Sequence, residues 1–429
     1  MSMSRRNFLG ASAAAVVAAG TMAKGRVFGA NDRVGVCVMG LNGRGQSHCE
    51  GFMRDPRSEV VALCDVDGRV LEASAALVER KTGKRPKTFT DIRNALAEES
   101  IHVLSIATPN HWHSLAAIWA CLAGKDVYVE KPLSHNVWEG RQLLETVRRT
   151  ERILQHGTQG RSEGRWQRDI ALLQSGEIIG PLYMARALCY KRRDAVPVAQ
   201  DQEPPPHLHW RLWQGPAPEK PYNPMYVHYN WHWFWHYGNG DIGNQGVHQM
   251  DIAIWGMNRG LPVKVYSAGG RYTYEDACET PNTQTATFTY ADGAMLQFEV
   301  RGRATHTEEG VGVGNIFYGK SGYYIQGKGF FDDSGKEIPL DESKYPLPES
   351  KDCYANFLTA VISRKEEDIH GTVRDGHWAS AHCHLANVAY RLGRSLEFDP
   401  ETERFKDAPD ADALLTREYH PDFAVPAIA

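Results

Sequence analysis

The chain has 429 residues, which exceeds the usual size of one hydrophobic core and predicts about two domains. Apolar residues make up 42% of the chain and charged residues 23%, a composition typical of globular proteins. The formal net charge is −4, so composition gives no support for a nucleic-acid-binding surface.

The first 30 residues have the pattern of an export signal. "SRRNFLG" (residues 4–10) precedes the mildly apolar "ASAAAVVAAG" and then "TMA". This apolar stretch is too short to span a membrane as a mature helix, and small residues follow it, as at a cleavage site. The pattern resembles the twin-arginine signal, so we expect a periplasmic or secreted protein. No later segment is apolar enough to predict a membrane span.

Eight cysteines are scattered along the chain without any CxxC pair. Several of them lie in apolar strand or helix patterns, where free cysteine behaves as a small hydrophobic residue. We therefore expect neither a disulfide framework nor a metal site. The triplet "HCH" at 382–384 does not change this, because adjacent residues of a helix point to different faces.

A glycine-rich turn follows the first predicted strand. Residues 34–39 are apolar, residues 44–53 have helical length, and residues 60–65 form a second buried strand, which together predict a βαβ unit. The turn "GLNGRG" matches G-x-G-x-x-G except for Asn42, a residue that tolerates positive φ. Asp65 ends the second strand, where a carboxylate binds ribose hydroxyls and repels a 2′-phosphate, so NAD is favoured over NADP. The predicted cofactor-binding residues of this unit are Gly40, Asn42, Gly43, Arg44, Gly45 and Asp65.

Strands and helices alternate up to about residue 158, which predicts a doubly wound parallel sheet, a Rossmann domain, over residues 31–158. "ATPN" and "EKP" both fall at carboxyl ends of predicted strands, where such sheets bind ligands. The further residues predicted to contact the cofactor are Thr108, Pro109, Asn110, His113, Glu130, Lys131 and Gln159.

The pattern changes in the second half. A helix predicted to end at Gly180 and a strand at residues 181–191 precede a long aromatic stretch, residues 192–237. Aromatic faces with polar edges suit sugars, but they could equally cover the sheet or an oligomer interface. Two alternating hairpins then predict a mainly antiparallel open sheet. The fold class is therefore α/β, with a second α+β domain over residues 159–395 for substrate binding and oligomerisation. Residues 396–429 are predicted to form a wrap-around tail.

The motifs "GLNGRG", "CDVD", "ATPNHWH" and "EKPLS" together resemble those of the Gfo/Idh/MocA oxidoreductases, and the resemblance covers nearly the whole mature chain. It implies an NAD-dependent enzyme acting on a CH–OH group of a carbohydrate, with Lys131 contacting the nicotinamide ribose and the substrate hydroxyl. It also implies a homo-oligomer formed through the second-domain sheet. The tail is similar to that of a subgroup with a C-terminal extension.

The family pattern D-x-x-x-H appears here as Asn244 and His248. Asn244 could be a helix N-cap, could bind a substrate hydroxyl, or could have ceded the acidic role to Asp241; Asp251 is a further nearby carboxylate. His248, with an ordinary pKa near ~6.5, is the predicted acid/base. The predicted catalytic residues are Lys131, His248 and Asn244. The predicted substrate-binding residues are Lys131, Arg161, Trp233, Asp241, Asn244 and His248. Three other histidines, His228, His232 and His236, are expected to shape the pocket.

Three functions agree with these features. The first is an exported, NAD-dependent oxidoreductase acting on a secondary hydroxyl or keto group of a sugar or polyol. The second is a glycoside hydrolase or lyase that oxidises its sugar transiently and retains the cofactor. The third is a cofactor-bound sugar-binding protein without turnover. Free NAD is scarce outside the cytoplasm, so export favours a cofactor that is held through the catalytic cycle.

Overall fold

The computed structural model describes residues 33–303 and 305–428. The predicted export signal, residues 1–30, lies outside the described residues. No helix in the described ranges has the length and apolar character needed to cross a bilayer.

The first sheet is parallel and contains six strands in the order β3-β2-β1-β4-β5-β6. Its central strand, Val34–Met39, is buried on both faces, which explains its continuous apolar sequence. The strands are β1 (Val34–Met39), β2 (Ser58–Cys64), β3 (Lys87–Phe89), β4 (Val103–Ile106), β5 (Asp126–Glu130) and β6 (Leu154–Gly157). The helices are α1 (Arg44–Arg54), α2 (Gly68–Thr82), α3 (Ile92–Leu96), α4 (Asn110–Leu122) and α5 (Val137–Thr150). This arrangement confirms the predicted Rossmann fold.

The second sheet has ten strands in the order β14-β13-β12-β11-β7-β10-β9-β8-β15-β16. Its strands are β7 (Leu182–Cys189), β8 (Lys264–Gly270), β9 (Thr283–Thr289), β10 (Met295–Arg301), β11 (Val313–Gly319), β12 (Gly322–Ile325), β13 (Gly329–Asp332), β14 (Glu337–Ile338), β15 (Leu396–Asp399) and β16 (Arg404–Phe405). The β7–β10 pair is parallel and the other pairs are antiparallel, which confirms the predicted mainly antiparallel sheet.

Helices cover one face of this sheet. The α-helices of the second half are α6 (Gly164–Ser175), α7 (Trp210–Gln214), α8 (Gly240–Asn244), α9 (Gly246–Met257), α10 (Cys353–Ser363), α11 (Val373–Leu392) and α12 (Pro409–Asp412). The two central helices, α9 and α11, are buried on most sides because they pack against the sheet and against each other. Their side chains and the buried positions of β7–β10 form one large core.

Residues 396–428 form two kinds of contact. Strand β15 extends the second sheet by pairing with β8. Further along, Tyr419 donates a hydrogen bond to Glu139 at 3.0 Å, and Phe423 packs against Trp112 of the first domain. The segment therefore begins as sheet edge and continues across the Rossmann domain.

Two local predictions were wrong. Helix α6 ends at Ser175 because Gly176 adopts φ 67°, so the helix stops before Gly180. Asn42 does not adopt positive φ; Gly40 and Gly43 take that conformation, at 83° and 103°. The turn therefore needs its first glycine and Gly43, and position 42 is free to carry a side chain.

Gly256 allows α9 to approach β11 closely. A Cβ atom at Gly256 would lie 2.4 Å from a ring carbon of Phe317, well inside contact distance. We expect Gly256→Ala to lower the free energy of unfolding by about 1–3 kcal/mol, because the core has no room for the methyl group. Urea denaturation measures this change. Gly312→Ala is the matched control, since its Cβ would meet nothing nearer than 3.5 Å, and equal losses in both variants would contradict the close packing.

Candidate active site

The glycine-rich turn lies between β1 and α1 at the carboxyl edge of the first sheet. A Cβ atom at Gly45 would lie 1.8 Å from the carbonyl oxygen of Gly40, so helix α1 starts directly against the turn. At Gly43, by contrast, a Cβ would meet nothing within 4 Å, because this residue faces open space. The amino end of α1 therefore points its free N–H groups toward a site that suits an anion.

Asp65 follows β2 and fixes the turn from the other side. Its carboxylate accepts hydrogen bonds from the backbone N–H of Leu41 at 2.7 Å and of Asp67 at 2.9 Å. Burial raises its pKa above the usual aspartate value, although these two bonds oppose the change. Asp65 thus lies at the expected strand end and also shapes the glycine-rich turn.

Glu130, at the end of β5, is a buried point of contact between several elements. One of its oxygens, Oε1, accepts hydrogen bonds from Arg44 at 2.8 Å and Gln159 at 3.0 Å, and lies 3.2 Å from Nε2 of His48. Burial alone would raise the pKa of Glu130, but the hydrogen bond with His48 and the cations of Arg44 and Lys131 hold it well below its usual value. An ionised carboxylate therefore connects α1, β5 and the start of the second domain.

A cavity of about 450 Å³ connects these features. It contains nearly all of the predicted cofactor-binding residues and the three predicted catalytic residues. The predicted residues that line it are Gly40, Asn42, Gly43, Arg44, Asp65, Thr108, Pro109, Asn110, His113, Glu130, Lys131, Gln159, Asn244 and His248. Four predicted residues, Gly45, Arg161, Trp233 and Asp241, are outside its lining.

Lys131 meets the second domain at Asn244. Its Nζ donates to the carbonyl oxygen of Asn244 at 2.9 Å and is 3.4 Å from the side-chain Oδ1. Asn244 is the last residue of α8, and Gln245 separates α8 from α9, so the N-cap interpretation of Asn244 was wrong. Burial lowers the pKa of Lys131 below the usual lysine value, while the nearby Glu130 carboxylate opposes the change. Asn244 is therefore a neutral partner that positions the lysine.

Neither nearby aspartate takes the place of the family acid in the cavity wall. Asp241 forms a buried ion pair with Arg193, with an N–O distance of 2.7 Å. Asp251 pairs with Arg161 at 2.9 Å, and both side chains are almost fully buried. Both carboxylates are already paired with arginines. They therefore stabilise the surrounding structure and affect the cavity only through their charge at a distance.

His248 lies in the cavity wall without an orienting carboxylate. Among the described residues, nothing hydrogen-bonds to its ring. Burial, followed by the neighbouring Lys131 cation, lowers its pKa to about 3. The assumption of an ordinary pKa was therefore wrong: His248 is neutral in this site at physiological pH, with one ring nitrogen free to accept a proton.

A long segment of the second domain covers the cavity. We call residues 190–239 the aromatic loop. It pairs with the segment between β2 and α2 through hydrogen bonds from Gly68 N–H to the His207 carbonyl at 2.9 Å and from His209 N–H to the Val66 carbonyl at 3.0 Å. In the same region His228 Nε2 lies 3.1 Å from the carboxylate of Asp67. The loop is therefore attached to the Rossmann domain at the edge where the cavity lies.

The aromatic loop supplies cavity residues that the sequence did not assign individually. His228 and His232 were expected to shape the pocket, and both line it, whereas His236 does not. Trp213, Tyr229 and Trp231 also line it. The density of aromatic residues in the sequence was a signal for the loop as a whole, but not for which rings face inward. Asp67, the second acid of "CDVD", lies outside the lining, and its contact with His228 was not predicted from the sequence.

Comparison with known proteins agrees with this architecture. Residues 34–158 match an oxidoreductase family's NAD-binding Rossmann fold, and residues 194–425 match its C-terminal α/β domain. The chain belongs to the Gfo/Idh/MocA oxidoreductase family. The family identification made from the sequence motifs is confirmed.

Individual relatives and solved structures match this chain at low sequence identity or over only part of its length. A glycosyl hydrolase family 109 protein of Shewanella pealeana is 31% identical over 189 residues, which are 38% of this chain and 41% of the relative. The match therefore spans less than half of that relative. The WlbA dehydrogenase of Bordetella pertussis, solved with NADH and UDP-GlcNAcA, has a TM-score of 0.64 at 19% identity, covering 86% of this chain and 99% of that one. The aldose-aldose oxidoreductase of Caulobacter crescentus has a TM-score of 0.62 at 16% identity, covering 85% and 100%.

The cavity fits the NAD expected of the family's first domain. The open space at Gly43 and the start of α1 suit a pyrophosphate, and Asp65 lies where a ribose would follow. Thr108 Oγ1 is buried in the cavity wall and has no hydrogen-bond partner among the described residues. This hydroxyl, together with Glu130, Lys131 and Gln159, would hold the nicotinamide half.

Several histidines around the site are neutral: His156 and His232 are buried, and His248 is partly buried in the cavity wall. Burial is the main cause that lowers the pKa of His156, His232 and His248 to about 3 each. Unfolding restores a value near ~6.5, so the unfolded chain binds more protons between these two pH values. The contribution of these histidines to the free energy of unfolding is therefore complete above about pH 6.5 and is lost as the pH falls toward 3.

We expect the free energy of unfolding to fall by about 1–2 kcal/mol per such histidine between pH 7 and pH 5. Urea denaturation at the two pH values measures the loss. His156→Leu should make the loss smaller, because it removes one of the titrating rings. The substitution breaks no hydrogen bond, since neither ring nitrogen of His156 has a partner among the described residues. The exposed His306→Asn is the control and should leave the loss unchanged. Equal stability at both pH values would contradict the buried, neutral state.

Proposed function

We propose that this protein oxidises a secondary hydroxyl of a sugar or polyol, or reduces the corresponding ketone, with NAD as the hydride carrier. One observation carries the proposal: Lys131, held by Asn244, shares the wall of a single cavity with His248 and the glycine-rich turn. A cation and a neutral base beside a nicotinamide site are the groups that alcohol oxidation requires.

The proposed roles follow from charge. The Lys131 ammonium donates a hydrogen bond to the substrate oxygen and stabilises the negative charge that grows on it. His248 accepts the hydroxyl proton. When bound, NAD would supply the acceptor for the hydride that leaves the carbon bearing that hydroxyl. The low basicity of His248 is offset by Lys131, which favours loss of that proton. Asn244 keeps the lysine in place, and in the reverse direction the same groups return the proton.

We further propose that NAD stays bound through the cycle. The aromatic loop is joined to the segment between β2 and α2 by two backbone hydrogen bonds and by the contact of His228 with Asp67, beside the expected ribose position. A cofactor beneath this loop leaves slowly. Retention suits the proposed export through the twin-arginine signal into the periplasm, where free NAD is scarce. We also propose a homo-oligomer, on the grounds of the sequence resemblance.

A second candidate is supported by the relatives named glycosyl hydrolase family 109. In this function the same oxidation is the first step: the ketone acidifies the neighbouring C–H, and loss of that proton expels the aglycone as an alcohol and leaves an unsaturated ketone. Water then adds to the double bond, and the ketone is reduced back to the hydroxyl. Lys131 and His248 would serve both functions. The two differ in their substrates and products. The glycosidase releases an aglycone and returns retained NAD to its starting state with one sugar substrate, whereas the oxidoreductase needs a second, carbonyl-bearing substrate to take up the hydride.

The two functions are distinguished by one set of assays on the purified protein. Denaturation followed by an enzymatic assay of the supernatant measures bound NAD(H), and NADP(H) is measured in the same way. The native protein is then incubated with sugars, polyols and aryl glycosides while NADH absorbance and aglycone release are recorded. Oxidation without aglycone release supports the oxidoreductase. Absence of bound or bindable nucleotide would contradict both functions, and bound nucleotide without any turnover would indicate a sugar-binding protein.

The assigned roles predict distinct losses. Lys131→Met and His248→Asn should each lower kcat/KM by about 100-fold or more, because each removes a group that acts on the reacting hydroxyl. NAD content should persist in His248→Asn. The exposed substitutions Lys336→Met and His306→Asn are the controls and should retain activity. Wild-type kcat/KM in His248→Asn would show that another group accepts the proton.

Retention of the cofactor can be tested separately. His228→Leu removes the contact with Asp67 and should raise the NAD dissociation rate about tenfold, the change expected for one lost charge-assisted hydrogen bond. Dilution of the NADH-loaded protein, followed by nucleotide fluorescence, measures this rate. His306→Leu provides the matched exposed control. An unchanged dissociation rate in His228→Leu would show that the loop contact does not retain the cofactor.

A further inference from the structure

A second cavity adjoins the proposed active site. It has a volume of about 320 Å³, at the lower end of the ~300–1,000 Å³ range typical of ligand pockets. Its wall includes His248 and Gln159, which also line the cofactor cavity. The two cavities therefore share these two side chains, and a ligand that occupies both would contact His248 and Gln159.

Side-chain amides dominate the wall of the second cavity. Gln245 and Gln249 come from the start of α9, while Asn315 and Gln326 come from β11 and the end of β12. These amides are partly held in place, since Asn315 donates from Nδ2 to the Gln249 carbonyl at 2.8 Å and from its backbone N–H to Gln326 Oε1 at 2.8 Å. The Nε2 groups of Gln249 and Gln326 donate to no acceptor within the described residues.

The charges around this cavity disfavour an anion. Within the described part of the chain no lysine or arginine side chain is part of its wall, and Asp251 is already paired with Arg161. Lys191 contacts the wall only through Gln245, donating to its Oε1 at 3.1 Å. The other carboxylate of the wall, Glu163, has no cationic partner within residues 33–303 and 305–428. The indole of Trp166 adds an aromatic surface. Amide donors and acceptors beside an aromatic ring, without a cation, suit the hydroxyls and C–H faces of an uncharged sugar.

We propose that the second cavity binds an additional, uncharged glycosyl unit, so that the substrate is a disaccharide or longer glycoside. This inference rests on the proposed function, because it assigns the reacting sugar to the cavity of Lys131 and His248. The neighbouring unit then lies among Gln249, Gln326 and Trp166. A nucleotide-diphosphate sugar is a poor fit, since its phosphates would meet Glu163 without a compensating cation.

The test compares the affinities of one and two sugar units for the NAD-loaded protein. Isothermal titration uses glucose, galactose and N-acetylglucosamine against cellobiose, lactose and N,N′-diacetylchitobiose, with UDP-N-acetylglucosamine as the charged probe. At least one disaccharide should bind about tenfold or more tightly than its component monosaccharide, the gain expected from one or two additional hydrogen bonds. The charged probe should show no such gain.

Two variants locate the gain. Gln249→Met keeps the shape of a helix-compatible side chain and removes its amide. Gln326→Glu keeps the oxygen that accepts from Asn315 N–H and replaces the free donor. In both variants the ratio of monosaccharide to disaccharide dissociation constants should fall toward one. The exposed Gln202→Leu is the control and should retain the wild-type ratio.

The outcomes separate this inference from the proposed function. A wild-type ratio near one, or a ratio that both variants retain, would overturn the second sugar site while leaving oxidation of monosaccharides intact. Tighter binding of the charged probe than of any disaccharide would overturn its assignment to an uncharged unit. If no sugar binds or is oxidised, the proposed function fails and this inference fails with it.

Discussion

A single buried carboxylate, that of Glu130, is the interaction on which the site depends. This carboxylate accepts hydrogen bonds from Arg44, at the start of the helix that follows the glycine-rich turn, and from Gln159, at the beginning of the second domain. Glu130 also directly precedes Lys131 in the sequence. Such a charge is costly to bury unless it is paired and hydrogen-bonded, so these partners are fixed relative to it. Glu130 consequently fixes the glycine-rich turn, Lys131 and the start of the second domain relative to one another.

Burial also decides the protonation states around this point. Glu130 stays ionised because cations and a hydrogen-bonding histidine surround it, whereas His248 becomes a weak base because burial and Lys131 disfavour its cation. A weak base can still assist alcohol oxidation if a cation stabilises the developing alkoxide. The proposed chemistry therefore depends on Lys131 and His248 together, and Asn244 positions the lysine.

Much of the fold could be predicted because the two sheets have different hydrophobic periods. Continuous apolar strands between helices indicated the parallel sheet, and strict alternation indicated the antiparallel one. Motifs at strand ends likewise placed most cofactor-cavity residues, since carboxyl ends of parallel strands share an edge. The positions of Asn244, Asp241 and Asp251 could not be predicted in the same way. A break of one residue, at Gln245, changes which face each side chain presents.

By itself the sequence determined the fold class, the family and the place of Lys131 and His248, because local periodicity and short motifs encode these properties. Tertiary structure decided which charged groups are available for chemistry. Asp241 and Asp251 are neighbours of His248 in sequence, yet Arg193 and Arg161 neutralise them from distant segments. Tertiary structure also decided which rings of the aromatic loop face the cavity, because this depends on how the loop packs against the segment between β2 and α2. Ion pairing and burial arise from residues far apart in the chain, so no local pattern could reveal them.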